Sequence, residues 1–408
     1  MSSRNRVPVV LLGDLTLLRP LAMADIPAVV AVTDGDDPTL RSRHAKRACL
    51  LKSLDPDSNE ALDALIAVAR GIQRRHGKRP PLVYGSDESL AFLYRHRAAI
   101  EEHFAVSFND PETADALLYK HRFAQLAAAR GVRVPRTSCG TSEQLAASDE
   151  PVIVKPRSKI LHDPAMRAFL GPNAKARVFS RGRDLTSDES FMRVADRVIV
   201  QELIPGSEGS LLSFHGFSDE QGRPLATFCG KKVRAYPSPT GESSLIELVV
   251  DQALEQHGRL VASMLGLRGP FKIDLIRDPR DGRLYTLEVN ARFSLWHHLA
   301  AAEGINLPAI AYHYLLDGTR PVPTTYVPRH RYIDLYRDYK SFEEHRRRGE
   351  LDLYRWLASI VERPTVHEAF AWDDPAPAVA WLRGELGRAM RLRVVRLAHS
   401  LGTVLSTW

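Results

Sequence analysis

Residues 271–292, FKIDLIRDPRDGRLYTLEVNAR, hold the strongest concentration of chemistry-bearing side chains in this sequence. FKIDLI and LYTLEVN read as two short strands, joined by DPRDGR, whose Asp, Pro and Gly residues favour chain reversal. A fold-back centred on Asp281 sets Asp274 across from Glu288 and Lys272 across from Asn290. Strand side chains alternate, so Glu288, Asn290 and Arg292 project toward one face. Two carboxylates and an amide oxygen there make a hard, all-oxygen site of the kind magnesium prefers. An adjacent arginine would hold an anion beside it. A solvent-facing polar strand is the plain alternative.

Other candidates carry less weight one at a time. Lys155 follows the apolar run VIV, Lys120 falls in a helical stretch, and Glu202 ends VIVQE just before Pro205-Gly206. Their order carries more. Two lysines come first, then an acidic segment beside Pro-Gly, then the basic run Lys231-Lys232-Val233-Arg234, and last the acidic hairpin.

The elements that must position these residues fall into two styles. Up to about residue 115, strands and helices alternate, which predicts an open, mostly parallel α/β sheet. Gly13-Asp14 and Gly85-Ser86-Asp87 then lie at the carboxyl ends of strands, where such sheets bind ligands. Neither has a dinucleotide fingerprint, and both read as structural turns. Residues 111–131 have a helical period ending at Gly131. Residues 160–187 read as a polar loop with some helix. Antiparallel strands follow, so the remainder is α+β, and the terminal WLRGELGRAMRLRVVRLAHSLGTVL reads as a helix with an apolar stripe and interspersed arginines.

The chain has 408 residues, enough for two or three domains. Its 56 basic and 49 acidic residues give a net charge of +7, compatible with small anionic substrates and far from a nucleic-acid-binding signature. The three cysteines are scattered and lack metal spacing, which fits a reducing compartment. The apolar run near the amino terminus is too short for a signal peptide, and no window is long enough to span a bilayer. A cytoplasmic protein is expected.

From about residue 118 to 318 the sequence resembles the ATP-grasp superfamily, and EVNAR is similar to its E-x-N-x-R signature. The resemblance implies a nucleotide held between two α+β subdomains behind an amino-terminal α/β domain. The implied divisions are residues 1–115, 116–200, 201–320 and a helical extension at 321–408. Lys120 and Lys155 would hold the nucleotide phosphates. Glu202 would lie near the adenine amino group, with Leu203 and Ile204 as hinge backbone, and Glu208 would take the ribose hydroxyls. Asp274, Glu288 and Asn290 match the family's magnesium ligands, with manganese as a substitute. GKKVRAYPSPTGESS resembles the basic strand and loop of D-aspartate ligase-like carboxylate–amine ligases. There Lys232 and Arg234 would face the γ-phosphate or the substrate carboxylate, with Arg292 at the acyl end. One departure stands out: residues 157–183 are basic where many members have a glycine-rich phosphate loop, so Arg157 and Lys159 are candidates for a basic lid.

The implied reaction joins a small carboxylate to an amine through an acylphosphate, releasing ADP and phosphate. Alternatives are a small-molecule kinase, a bicarbonate-using carboxylase and a non-catalytic nucleotide-binding protein. A homodimer is left open. His297 and His298 are candidate proton acceptors for the amine, or structural residues.

Overall fold

The computed structural model describes residues 6–139, 143–159, 163–171 and 174–384. Three sheets organise the described residues. In the first, β1 (Val9–Leu12), β2 (Ala28–Val32), β3 (Ala45–Leu50) and β4 (Leu82–Tyr84) are parallel and run in the order β3-β2-β1-β4. β1 and β2 are buried at every position, which explains their uninterrupted apolar sequences. β1 has β2 on one side and β4 on the other, so the carboxyl edge of β1 is the switch point of this sheet.

The second sheet is antiparallel: β5 (Thr137–Cys139), β6 (Val152–Pro156), β7 (Arg177–Phe179) and β8 (Val198–Glu202), in the order β5-β8-β6-β7. Phe169, Phe179 and Phe191 fill its own small core. The segment read as a loop with some helix contains the helix Pro164–Leu170 and, unforeseen, the strand β7.

The third sheet has seven strands: β9 (Leu211–Ser218), β10 (Pro224–Tyr236), β11 (Glu242–Val249), β12 (Gly269–Arg277), β13 (Leu284–Asn290), β14 (Arg331–Ile333) and β15 (Thr365–His367). Their order is β13-β12-β9-β10-β11-β14-β15; β14 and β15 pair in parallel and the other neighbours antiparallel. The region after residue 320 is therefore more than a helical extension. It widens this sheet by two strands around the helices Leu335–Arg347 and Leu353–Val361. The terminal stretch read as an apolar-striped helix lies, from residue 385 on, outside the described residues. No helix among the described residues is long and apolar enough to cross a membrane.

One local departure matters for the site. The helix expected over residues 111–131 is two helices, Pro111–Leu118 and Lys120–Ala129. Tyr119 is extended between them, because its backbone bridges to Ser158 and Lys120 N–H donates to the Arg157 carbonyl at 2.8 Å. Periodicity within the segment carries no trace of this long-range pairing. The break sets Lys120 at a helix start, against the chain leaving β6.

Candidate active site

The hairpin β12–β13 has the register expected from its sequence, with Lys272 opposite Asn290 and Asp274 opposite Glu288. The loop reverses at Gly282, whose φ of 72° is open to glycine at no steric penalty. Asn290 Nδ2 donates to Asp274 Oδ2 at 3.1 Å and to Glu288 Oε1 at 3.4 Å, so the three proposed metal ligands converge. Ser213, opposite Asp274 on β9, donates its hydroxyl to Asp274 Oδ1 at 3.3 Å. Ammonium groups fill out the cluster. Lys272 Nζ lies 2.9 Å from Asp274 Oδ1, and Lys159 Nζ donates to Asn290 Oδ1 at 3.0 Å and to the Val289 carbonyl at 2.6 Å. Cations thus already sit on two of the three candidate ligands. The donor set is all oxygen, which suits a hard divalent ion. Rotating the Asn290 carboxamide by half a turn would present its oxygen in place of its nitrogen.

Lys155, at the end of β6, donates to Gln201 Oε1 at 2.8 Å, and Gln201 in turn donates to Thr137 Oγ1 at 2.9 Å. Burial lowers the pKa of Lys155, against the pull of Glu288 and Asp274. Burial likewise pushes Lys120 down to about 8. Glu288 opposes that shift, and the like charges of Lys159 and Lys155 add to it. Burial would raise Glu288, but Lys159, Lys120, Lys155 and Lys272 outweigh it and hold the carboxylate well below its usual range. Four ammonium groups around a carboxylate pair leave a surplus of positive charge, which is the electrostatic requirement for a polyphosphate.

Arg292, just beyond β13, donates through Nη2 to Asp87 Oδ2 at 2.8 Å and through Nη1 to the Phe293 carbonyl at 3.1 Å. Burial would raise Asp87, yet Arg292 and Lys159 hold it at about 2. Burial would lower Arg292, and Asp87 more than offsets it. Asp87 begins the helix Asp87–Arg95, which Ser86 caps by accepting the Ser89 N–H. Read as part of a structural turn, Asp87 is in fact joined to the arginine of the signature. Its place at the carboxyl edge of a parallel strand was the signal that could have identified it.

The residues expected at the nucleoside end, and Lys232, belong to the segments from β8 to β10. Glu202 pairs with Arg136 at 3.0 Å and faces Arg280 at 3.7 Å. The Leu203 N–H donates to the Pro151 carbonyl at 3.2 Å, while Ile204 is buried. The side chain of Glu208 lies outside the described residues. Lys232 donates to the Gly241 carbonyl at 3.2 Å.

Arg234 is corrected outright. It forms a buried two-pronged ion pair with Asp338, Nε and Nη2 reaching the two carboxylate oxygens at 2.9 and 2.8 Å, and its Nη1 donates to Ser359 Oγ at 2.9 Å. The reason is a bulge in β10: Lys232 opposes Ile246 and Arg234 opposes Leu245, adjacent residues on β11 that point to opposite faces. The two cations no longer share a face, as unbroken alternation would require.

His297 and His298, the candidate proton acceptors, are weak bases here. Desolvation pushes them down to about 4 and about 3, with His297 fully buried and His298 partly so. His297 packs edge-on against Phe293 and Phe228 and bonds the Ser294 carbonyl through Nδ1 at 2.8 Å. Of the basic lid, Lys159 reaches the site, whereas Arg157 turns to the Asp196 carbonyl and His121. Residues 160–162 and 172–173 of that segment lie outside the described residues.

No family model matches the chain. It is 20% identical over 284 residues to a D-aspartate ligase from Enterococcus faecium, a match covering 65% of this chain and 65% of that relative's length. Among solved structures it resembles the β,γ-ATP complex of biotin carboxylase from Campylobacter jejuni, with a TM-score of 0.55, 16% identity, and 78% and 72% of the two chains covered. An L-amino acid ligase from Bacillus licheniformis gives a TM-score of 0.53 at 15% identity, covering 78% and 75%. The N5-carboxyaminoimidazole synthetase of Staphylococcus aureus, complexed with ADP, gives 0.55 at 11% identity, covering 79% and 80%. At such identities the structural likeness speaks for the fold.

Proposed function

We propose that this chain, which has the ATP-grasp fold, is an ATP-dependent carboxylate–amine ligase. The observation carrying the proposal is the convergence of Lys120, Lys155, Lys159 and Lys272 on the Asp274–Glu288–Asn290 cluster, with Arg292 beside it. The cluster combines a surplus of cations for phosphate oxygens, an oxygen donor set for a divalent ion, and a guanidinium for the acid.

In the proposed reaction a carboxylate oxygen of the acid attacks the γ-phosphorus of ATP. The bond from phosphorus to the bridging oxygen breaks, ADP leaves with that electron pair, and an acylphosphate forms. The amine nitrogen then attacks the acyl carbon, the carbon–oxygen bond to phosphate breaks, and phosphate departs carrying the proton released by nitrogen. No protein nucleophile is required, so positioning and charge neutralisation do the catalysis. Lys120, Lys155 and Lys159 place ammonium groups for the phosphates, and Arg292 orients the acid. Asp274, Glu288 and Asn290 would hold magnesium, which when bound neutralises phosphate charge. The hinge at Leu203 and Ile204, with Glu202 and Glu208 beside it, would take the nucleoside. The three unpaired cysteines fit a cytoplasmic enzyme.

The test is ADP release from ATP across a panel of acids, with hydroxylamine present to trap acylphosphate as hydroxamate. The likeness to a D-aspartate ligase puts D- and L-aspartate first in the panel. Acid-dependent ADP release with matching hydroxamate is expected. ADP release on bicarbonate alone would favour the carboxylase reading, which the likeness to biotin carboxylase brings into the panel. A phosphorylated product that hydroxylamine does not consume would favour a kinase.

A further inference from the structure

Surface helices ordinarily turn apolar side chains inward and polar ones to water. The helix Leu353–Val361 does the reverse. Leu353, Tyr354, Leu357 and Val361, spaced i, i+1, i+4 and i+8, share a face about 100° wide, and they are 53, 82, 48 and 79% exposed. The inner side is fastened by polar groups. Trp356 Nε1 donates to Asp338 Oδ2 at 2.9 Å, Arg234 Nη1 to Ser359 Oγ at 2.9 Å, and Arg331 Nη1 to the Ser359 carbonyl at 3.0 Å. The apolar face is thus held outward by specific bonds.

The helix Leu335–Arg347 continues this surface. Trp356 stacks on its Phe342 at 4.7 Å and meets Tyr339 at 6.0 Å. Leu335, Tyr336 and Tyr339 repeat the i, i+1, i+4 spacing and are also exposed. Tyr336 meets Trp381 edge-on at 6.4 Å, which brings in the segment carrying the exposed Leu382. Single exposed apolar residues need no explanation; a face shared by two packed helices does.

Charge selects what covers that face. Arg346 and Arg347 end the helix Leu335–Arg347, and Arg383 lies two residues past Trp381; all three are exposed and in no ion pair among the described residues. The exposed acids nearby are spent: Glu350 on His345 and Arg348, Asp352 on Arg355, and Glu362 on Arg331. Residues 385–408 add four arginines against one acidic residue. A second copy of this face, or that segment folded back on it, would set arginine against arginine. The complement is anionic and receives apolar side chains. Leucine, valine and tyrosine bordered by arginine is the composition that settles at the headgroup–acyl boundary of an anionic bilayer.

We propose that the helices Leu335–Arg347 and Leu353–Val361 form a docking surface for an anionic lipid bilayer. Leu353, Tyr354, Leu357 and Val361 enter the boundary region, and Arg346, Arg347 and Arg383 meet lipid phosphates. Binding is peripheral, and it is independent of the ligase reading, whose residues lie on other elements.

Co-sedimentation of the full chain with vesicles tests this, comparing phosphatidylcholine alone with an equal mixture of phosphatidylcholine and phosphatidylglycerol. The mixed vesicles are expected to bind about tenfold more tightly or better, and added sodium chloride to weaken that binding. Tyr354→Ser combined with Val361→Ser is expected to weaken it about tenfold or more, with an unfolding midpoint like the parent's because both side chains are exposed. Arg346→Ser combined with Arg347→Ser, at exposed positions on the other helix, is expected to remove most of the preference for phosphatidylglycerol. No binding to mixed vesicles, equal binding to both kinds, or binding that both double variants leave unchanged overturns the proposal. So does a dimer in sedimentation velocity that Tyr354→Ser with Val361→Ser dissociates, which would give the face to a second copy.

Discussion

Two buried charge clusters in this protein use similar residues to opposite ends. Around Asp338 the account is closed. Arg234 covers both carboxylate oxygens, Ser244 Oγ donates at 2.9 Å and Trp356 Nε1 donates at 2.9 Å, all in a site nearly sealed from solvent. Around Glu288 the account is open. Lysines outnumber carboxylates, Lys120 is forced down to about 8, and Arg292 Nε and Asp87 Oδ1 lack partners among the described residues. The first cluster fastens the helix Leu335–Arg347 to β10. The second keeps a surplus of positive charge, which suits the polyanion proposed for it. Charge and burial alone do not separate a structural pair from a working site; residual imbalance does.

The sharpest way to break this contrast is Glu288→Gln. The open cluster predicts a loss of turnover on the order of 10²–10³-fold, with a far-ultraviolet circular dichroism spectrum like the parent's. Retained acid-dependent ADP release would remove Glu288 from the reaction.

Arg234→Ala should act on the other quantity. It leaves Asp338 buried and unpaired, which costs about 3–5 kcal/mol and shows as a lower midpoint in thermal or urea unfolding. Arg234→Met combined with Asp338→Leu should recover most of that loss. A fall in turnover with unchanged stability would return Arg234 to the substrate.

A third, smaller effect follows from Lys120. Burial pushes its pKa down to about 8, from the ordinary lysine value of 10.5, so its ammonium is lost as pH rises through 8. Only the protonated form attracts phosphate, so kcat/KM for ATP should fall about tenfold per pH unit above that point. Lys120→Arg should flatten the profile. The sign for stability is opposite: between pH 8 and 10.5 the unfolded chain binds more protons, so the free protein gains stability with rising pH.

The smallest effect separates the two lid residues. Lys159→Ala should raise the Michaelis constant for ATP severalfold, and Arg157→Ala less than twofold, since only Lys159 reaches the cluster. Equal effects would restore a lid made of both.

Much of the site was legible beforehand where local rules govern it. Strand alternation and one turn placed Asp274, Glu288 and Asn290 on a common face, and the register followed from where DPRDGR reverses. Continuous apolar runs announced β1 and β2. The misses share a cause. Arg234 left its expected face because of one bulge, Tyr119 broke a helix by pairing with Ser158, and Asp87 reached Arg292 across 205 positions. The α-helical period and strand alternation report on neighbours a few residues apart and are silent about each of these.

By itself, then, the sequence determined which residue types could bind a metal-bound polyphosphate, and how the hairpin that carries most of them pairs. Only the tertiary structure decided which cations attend that hairpin, which lie spent in a closed ion pair, and that a carboxylate of the parallel sheet meets the signature arginine. The physical reason is that the cluster is assembled from Asp87 near β4, Lys120 after Tyr119, Lys155 and Lys159 beside β6, and the hairpin itself. Their charges balance or fail to balance only once four distant segments share one volume of low dielectric.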